Sequence, residues 1–287
     1  MRTDNERESD NIEDRRGGGF SGGGGGRGLG VGTIVVALVA SWVLGVNPMT
    51  VLNMLSGGGA PQTQSAPAQQ PPANDKDARF VSVVLADTED VWRDIFQQHN
   101  SQYRDPKLVL FSGQTPTACG TGQAAMGPFY CPGDEKVYID LAFYQQLRDR
   151  FKAPGDFAQA YVIAHEVGHH VQNLLGTSGK VDSMRGRISE AQQNQLSVKL
   201  ELQADCYAGV WANHAQEMRN VLEPGDIEEA LTAAAAVGDD SIQMATQGTI
   251  VPESFTHGSA AQRSKWFNIG IKSGDMQQCN TFSQSSL

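Results

Sequence analysis

The 287-residue sequence has few basic residues and few cysteines. It contains 22 Lys and Arg against 32 Asp and Glu, a net charge of −10. Because a nucleic-acid-binding surface needs an excess of positive charge, this balance argues against nucleic acid as a partner. The four cysteines include no Cys-x-x-Cys pair, which argues against a cysteine-type zinc site. The glycine run at residues 17–26 follows no strand pattern, so it does not indicate a nucleotide site.

Long apolar runs are also scarce, and residues 29–46 form the clearest one. This stretch carries no charge and is just long enough to cross a bilayer as a helix. Arg15, Arg16 and Arg27 precede it, whereas the next basic residue after it is Lys76, so the positive-inside rule places the N-terminus in the cytoplasm. A cleaved signal peptide is the alternative, but no small-x-small cleavage site follows closely. We therefore predict an uncleaved transmembrane helix.

Composition divides the rest of the chain into three parts. Residues 1–28 are predicted to be a disordered, Gly-rich cytoplasmic segment, and residues 47–77 a flexible linker rich in Pro and Gln. Residues 78–287 are enough for one hydrophobic core, which predicts a single catalytic domain.

The chemistry of that domain is suggested by the pentad His165-Glu166-Val167-Gly168-His169. On a helix, residues four apart lie on one face, so the two imidazoles can converge on one cation. Glu166 then lies beside the metal, where a carboxylate can take a proton from an attacking water. The pentad predicts a zinc hydrolase, most simply a peptidase.

An apolar helical pattern surrounds the pentad. Asp156 is a suitable N-cap and Gly176 a suitable C-terminal stop, which predicts a helix over residues 157–175. A buried helix with two satisfied histidines is the alternative, but it does not explain Glu166 on the same open edge. The predicted buried stripe comprises Phe157, Tyr161, Ala164, Gly168, Val171 and Leu175.

A catalytic zinc usually has three protein ligands, so a third is needed. The metzincin pattern would place it shortly after the pentad, but Gln172 and Leu175 stand where that pattern needs glycine and histidine. Glu201, on a later predicted helix, is the other candidate. Asp205, one turn further, could accept a hydrogen bond from the outer nitrogen of a ligating histidine. The alternative is that Glu201 and Asp205 only form part of a solvent-exposed helix face and bind no metal.

These motifs together resemble the bacterial neutral zinc metallopeptidase family, and more loosely the gluzincin plan of thermolysin. The likeness is carried by residues 7–16, 127–132, 165–172, 201–206 and 255–258. It implies a bacterial protein with one N-terminal membrane span. With the N-terminus in the cytoplasm, the catalytic domain is expected on the periplasmic or extracytoplasmic side of the inner membrane. The resemblance also implies one Zn²⁺ per chain and a peptide or protein substrate.

The reaction also needs a donor for the developing oxyanion. We predict that His257 supplies it, with Arg263 orienting His257 or binding substrate. Tyr138 and Tyr161 are the alternative donors. A surface histidine without a role is the simpler interpretation of His257.

All four cysteines lie in the part predicted to be outside the membrane, where an even number indicates two disulfides. Three pairings are open. The most attractive joins Cys119 to Cys131, which flank a Gly-rich loop. It leaves Cys206 and Cys279 to fasten the C-terminal tail to the helix that carries Glu201.

The predicted fold class is α+β and mostly α, a zincin-like domain with a small sheet. The strand at residues 136–141 is expected to be an edge that lines the cleft and pairs with substrate backbone. The other predicted elements are a strand at 107–111 and helices at 80–98, 143–151, 157–175, 183–214, 224–236 and 260–272.

Two other functions fit the same residues. A zinc-loaded but catalytically idle domain could serve as a membrane-tethered binding or chaperone module. A non-peptidase zinc hydrolase would turn over small amides or esters but not denatured protein.

Overall fold

The computed structural model describes residues 1–4, 6–17 and 69–283. Residues 1–16 form one compact unit with the chain from residue 67 onward. This differs from the predicted boundaries, which separate residues 1–28 and 47–77 from the catalytic domain. The predicted membrane span at residues 29–46 lies outside the described residues. Among the helices that are described, none is both long and apolar enough to cross a bilayer.

A four-stranded sheet forms one side of the unit, in the order β1, β2, β6, β5. β1 and β6 both run parallel to β2, whereas β5 runs antiparallel to β6. A separate antiparallel hairpin joins β3 to β4. The strands are β1 Ile12–Asp14, β2 Lys107–Phe111, β3 Gln114–Thr117, β4 Gly120–Gln123, β5 Phe129–Cys131 and β6 Lys136–Asp140.

Helices make up most of the described chain, which confirms the α+β, mostly α class. Their order along the chain is α1 Lys76–Gln98, α2 Ala142–Asp149, α3 Asp156–Leu174, α4 Thr177–Asp182, α5 Glu190–Arg219, α6 Asp226–Ala236, α7 Asp239–Gln247 and α8 Ala260–Ser273.

The helix that carries the pentad, α3, packs directly on α5. A Cβ atom added to Gly168 would lie 3.0 Å from the carbonyl oxygen of Ala204 and 3.1 Å from its Cα. Glycine inside the pentad therefore permits the two helix backbones to approach closely. This contact brings the C-terminal half of α3 against the part of α5 that carries Glu201.

A second close approach joins α5 to α8. A Cβ atom on Gly270 would lie 2.0 Å from the carbonyl oxygen of Cys206, so only glycine fits there. Trp211 of α5 and Trp266 of α8 are fully buried in the core beneath this contact. The packing fixes Arg263, near the start of α8, relative to the ligand helix.

Two disulfides match the pairing that the sequence favours. Cys119 is joined to Cys131 with an S–S distance of 2.03 Å, and Cys206 to Cys279 with 2.00 Å. The first ties the β3–β4 hairpin to β5. The second fastens the C-terminal tail to α5.

Two predicted elements differ from the structure. The helix predicted over residues 183–214 begins later and runs further, from Glu190 to Arg219, because Ser189 and Gln192 form a capping box that starts α5 at Glu190. The strand predicted at the cleft edge, β6, lies between β2 and β5 in the sheet. The edge position belongs to β5.

Candidate metal and peptidase site

The pentad lies in the C-terminal half of α3. Gly155 precedes this helix with φ 118°, and the backbone N–H of Phe157 donates to the Glu229 carboxylate at 3.0 Å. One turn separates His165 from His169, and their ring centroids are 4.8 Å apart. Both imidazoles thus face the same space beside the helix, as the i, i+4 spacing predicts.

Glu201 of α5 completes the cluster. Its Oε2 lies 3.1 Å from Nε2 of His165, and its Oε1 lies 3.4 Å from Nε2 of His169. The three ligand atoms offered by these residues all lie within 4.8 Å of one another. The structure therefore brings together the three residues that the sequence predicts as metal ligands.

The outer nitrogen of His165 is held by a buried ionic network. Its Nδ1–H donates to Oδ1 of Asp205 at 2.8 Å, the contact expected from the sequence. The same oxygen accepts from the Tyr161 hydroxyl at 2.5 Å and from the Arg263 guanidinium at 2.9 Å. Nε of Arg263 donates to Asp205 Oδ2 at 2.8 Å. Because carboxylate oxygens only accept, this network fixes the tautomer that leaves Nε2 free for a metal.

Uncharged groups hold the outer nitrogen of His169. Its Nδ1–H donates to Oε1 of Gln172 at 2.9 Å. The Gln172 amide donates in turn to the Leu200 carbonyl at 2.7 Å and to Oε1 of Gln203 at 3.2 Å. Gln203 then donates to the carbonyl of Cys279 at 2.9 Å. This relay connects His169 to the disulfide-bonded C-terminal tail.

The electrostatics of the cluster favour a cation. Burial opposes protonation of His165, but the Asp205 and Glu201 carboxylates outweigh it and raise its pKa to about 10. Burial likewise opposes ionisation of Asp205, yet Arg263 and His165 lower its pKa to about 2. The pKa of Glu201 is also well below its usual range, because the two imidazoles outweigh the cost of burial. The negative potential that holds protons on the imidazoles would equally hold a divalent ion.

The donor set fits zinc. Two imidazole Nε2 atoms and one carboxylate are the ligands of many catalytic zinc sites, which keep a further position for water or substrate. Both imidazoles have a hydrogen-bond acceptor on the opposite nitrogen, which is the usual support for a ligating histidine. His165, His169 and Glu201 would hold the ion.

A second carboxylate group lies at the start of α3 and α6 and includes Asp156, Asp226 and Glu229. The α-amino group of Met1 bonds Asp156 at 2.6 Å and lies 3.3 Å from Asp226. Because this ammonium group already balances the carboxylates, we assign no metal there.

Glu166 lies on the wall of a cavity of about 660 Å³ that also contains the three candidate ligands. Its side chain makes no hydrogen bond to any residue that the structure describes. A carboxylate beside the cluster and without a structural partner is suited to proton transfer. The cavity is large enough for several residues of a peptide.

His257 lines the same cavity, and Asp239 holds it in place. Nδ1 of His257 lies 3.2 Å from Oδ1 of Asp239. Oδ2 of Asp239 accepts from the backbone N–H groups of Thr256, His257 and Gly258 at 2.7, 2.6 and 2.9 Å. The hydrogen bond to Asp239 raises the pKa of His257, which favours the imidazolium at the cleft.

Arg263 and the two tyrosines differ from their predicted roles. The hydrogen bonds of the buried Arg263 run to Asp205, Tyr161, His165 and the Val237 carbonyl rather than to His257. The Tyr161 hydroxyl is engaged by Asp205, so it is not free to meet an oxyanion. Tyr138 is buried against Phe129, donates to Asp134 at 2.7 Å and is not part of the cavity wall. The structure therefore does not bring Tyr138, an alternative oxyanion donor, to the cavity.

The edge strand β5 takes the position predicted for β6. Phe129 and Tyr130 line the cavity. The Tyr130 hydroxyl donates to Nδ1 of His170 at 2.9 Å and accepts from Asn173 at 3.1 Å. Since His170 and Asn173 belong to α3, the strand is anchored to the pentad helix.

Sequence reasoning missed Gln172 and Asp239. Gln172 stands three residues after His169, a spacing that places it one turn along the same face, so its role could have been inferred. Asp239 is eighteen positions before His257 and approaches it only through the packing of α7 against the 256–258 loop. No local signal indicates that contact.

The HExxH helix and the His–His–Glu cluster form the arrangement expected of a zinc-binding site. The chain belongs to the family described as "Putative neutral zinc metallopeptidase", which matches residues 1–282. This confirms the family resemblance and implies zinc as the metal.

Relatives of the chain are found in distant bacteria. It is 50% identical over 289 residues to uncharacterized protein YpfJ of Escherichia coli strain K12, which covers 99% of this chain and 100% of the relative. It is 51% identical over 195 residues to uncharacterized protein Rv2575 of Mycobacterium tuberculosis strain H37Rv, which covers 64% of this chain and 65% of that protein. No solved structure matches the chain.

Proposed function

We propose that this protein is a zinc-dependent endopeptidase that cleaves peptide bonds with Glu166 as general base. The observation that carries the proposal is the convergence of His165, His169 and Glu201 within 4.8 Å, with Glu166 on the wall of the same cavity. When bound there, zinc would lower the pKa of a water molecule and polarise the substrate carbonyl.

The protein's own residues supply the remaining steps. Glu166 takes a proton as the water attacks the carbonyl and delivers it to the leaving amine. His257, kept protonated by Asp239, donates a hydrogen bond to the oxyanion as its charge develops. Asp205 and Gln172 keep the ligand imidazoles in place throughout the reaction.

The substrate backbone is proposed to pair with the edge strand β5. This strand is short, lines the cavity and is fixed to α3 through Tyr130. An extended peptide added at such an edge would gain backbone hydrogen bonds that do not depend on sequence. That mode of binding suits an enzyme that acts on peptides or unfolded protein.

We also propose that the catalytic domain works outside the cytoplasm. The support is its two disulfides, since such bonds persist mainly in oxidising compartments. The membrane anchor at residues 29–46 remains a prediction from the sequence.

The zinc content of the purified full-length chain tests the metal site. We expect one zinc per chain in the wild type and loss of zinc in Glu201→Ala. Glu217→Ala is the matched control, because Glu217 is an exposed glutamate on the same helix. A wild type that takes up no zinc would overturn the proposal.

Hydrolysis of denatured protein tests the reaction. Glu166→Gln should keep its zinc and lose hydrolysis. A zinc-loaded wild type that cleaves no peptide would favour the idle binding module. Turnover of small esters or amides without turnover of protein would favour a non-peptidase hydrolase.

A further inference from the structure

The segment that we call the N-terminal clamp, residues 7–16, is built into the catalytic domain. Its strand β1 pairs with β2 in parallel register, with Ile12 opposite Leu108 and Asp14 opposite Leu110. Ile12 is buried in the main hydrophobic core. The clamp therefore adds a strand to the sheet that also carries the proposed substrate edge.

A buried carboxylate on α1 receives the clamp. Glu89 is only 1% exposed, and its oxygens accept from Arg7 at 2.9 Å, Ser9 at 2.5 Å and Asn11 at 2.8 Å. These donors come from positions 7, 9 and 11 of the clamp, and all three meet the same carboxylate. Burial of a carboxylate is costly unless it is hydrogen-bonded, and the clamp provides these bonds.

The other end of the clamp is tied to the sheet by charge. Glu13 lies 3.1 Å from Nζ of Lys107 on β2 and 2.9 Å from Nζ of Lys136 on β6. Although burial opposes ionisation, hydrogen bonds from Lys136, Arg15 and Lys107 lower the pKa of Glu13 to about 2. The clamp thus contacts two strands and one helix of the domain.

The clamp also meets the chain where the described part resumes. The backbone N–H of Asp14 donates to the Gln69 carbonyl at 2.7 Å, and that of Gln69 donates back to Asp14 at 3.4 Å. Arg16 lies 2.7 Å from Asp75 at the start of α1. The chain thus leaves the domain and re-enters it at one point.

From these contacts we propose that the clamp and the catalytic domain lie on the same side of the membrane. A single crossing at residues 29–46 would place them on opposite sides of an apolar layer about 30 Å thick. Neither the β1–β2 ladder nor the hydrogen bonds to Glu89 could then form within one chain. Residues 17 and 69 therefore face the same compartment.

Cysteine reporters in the full-length chain test this topology in intact bacterial spheroplasts. Asp10→Cys places a thiol on an exposed position of the clamp, and Gln247→Cys places one on an exposed position of α7. The native cysteines are all disulfide-bonded, so the wild type serves as the unlabelled control. A membrane-impermeant maleimide is applied before and after permeabilisation.

We expect both reporters to be labelled to the same extent under each condition. Labelling of one reporter before permeabilisation and of the other only afterwards would overturn the proposal. The result is independent of peptidase activity, so it can fail or succeed separately from the proposed function.

A cross-link shows whether the clamp occupies this place within its own chain. Nε of Arg79 lies 3.0 Å from Oε1 of Glu8 and both side chains are exposed, so a short bifunctional maleimide should join Glu8→Cys to Arg79→Cys inside one chain. On a non-reducing gel we expect a monomer of altered mobility, which neither single variant shows. An uncross-linked monomer, or a cross-linked dimer made by exchange of clamps, would contradict the proposal.

Discussion

The outer nitrogens of the two candidate ligand histidines donate to different kinds of acceptor, one charged and one neutral. His165 donates to a buried carboxylate that is itself paired with a buried guanidinium. His169 donates to a neutral amide that is connected through Gln203 to a backbone carbonyl in the C-terminal tail. A charged acceptor makes an imidazole a stronger donor to a metal, whereas an amide mainly fixes its orientation. We therefore expect loss of the His165 acceptor to lower zinc affinity more than loss of the His169 acceptor.

The largest effect is expected on removal of the charged acceptor. Asp205→Ala would leave Arg263 buried without its partner, so the free energy of unfolding should fall by about 3 to 5 kcal/mol. Zinc affinity should fall by up to about 100-fold, the upper end of the range for losing the hydrogen-bond acceptor of a ligand histidine. Chemical denaturation and competition with a chromophoric chelator measure the two quantities.

The double variant Asp205→Leu with Arg263→Met is the control for that change. It removes both charges together, so most of the stability should return while zinc affinity stays low. Full recovery of zinc affinity in the double variant would show that Asp205 does not support His165.

Removal of the neutral acceptor, Gln172, should lower zinc affinity by less. Gln172→Leu leaves His169 without its partner but leaves no buried charge unpaired. Zinc affinity should fall by about tenfold. If Gln172→Leu lost as much affinity as Asp205→Ala, the contrast between the two histidines would be wrong.

A pH profile of activity tests whether Asp239 keeps the exposed His257 protonated. The pKa of His257 is raised, chiefly by its hydrogen bond to Asp239. The imidazolium is present below that pKa and is lost as pH rises through it, so kcat/KM should fall on the alkaline side. Asp239→Asn removes the charge and should move this fall to lower pH.

The neighbouring carboxylate provides the matched control. Asp240 accepts from the backbone N–H groups of Ser241 and Ala260 and forms no hydrogen bond with His257. Asp240→Asn should therefore leave the alkaline limb in place. An alkaline limb that Asp239→Asn does not move would remove His257 from the proposed mechanism.

The smallest effect is expected at the far end of the neutral relay. Gln203→Leu separates Gln172 from the tail but leaves its bond to the Leu200 carbonyl. We expect a loss of about 1 kcal/mol in the free energy of unfolding and a change in zinc affinity well below that of Gln172→Leu. A larger change would mean that the tail, rather than Leu200, orients Gln172.

The part of the site that the sequence could predict is the part with helical spacing. His165 and His169 are one turn apart on α3, and Glu201 and Asp205 are one turn apart on α5. Such pairs share a helix face whatever the tertiary structure, so the ligands and the acceptor of His165 could be inferred. The capping box of Ser189 and Gln192 is also visible in the sequence, and it would have moved the start of the helix predicted at 183–214 to Glu190.

What escaped prediction depends on contacts between distant segments. β1 contains one buried apolar residue, Ile12, in a highly charged stretch, and it becomes a strand only because β2 lies beside it. The β3–β4 hairpin has no apolar alternation, so the strand period is absent from its sequence. Asp239 and Arg263 reach their partners through helix packing, which a single sequence does not reveal.

The hydrogen bonds between Asp14 and Gln69 have a practical consequence for protein production. A fragment that starts at Asp75 would lose β1 and the donors to Glu89, whereas a short turn joining Gly17 to Gln69 would keep both. Insertions and deletions are best tolerated where the two ends of a segment lie close together. The shortened chain is therefore a rational starting point for crystallisation of the catalytic unit.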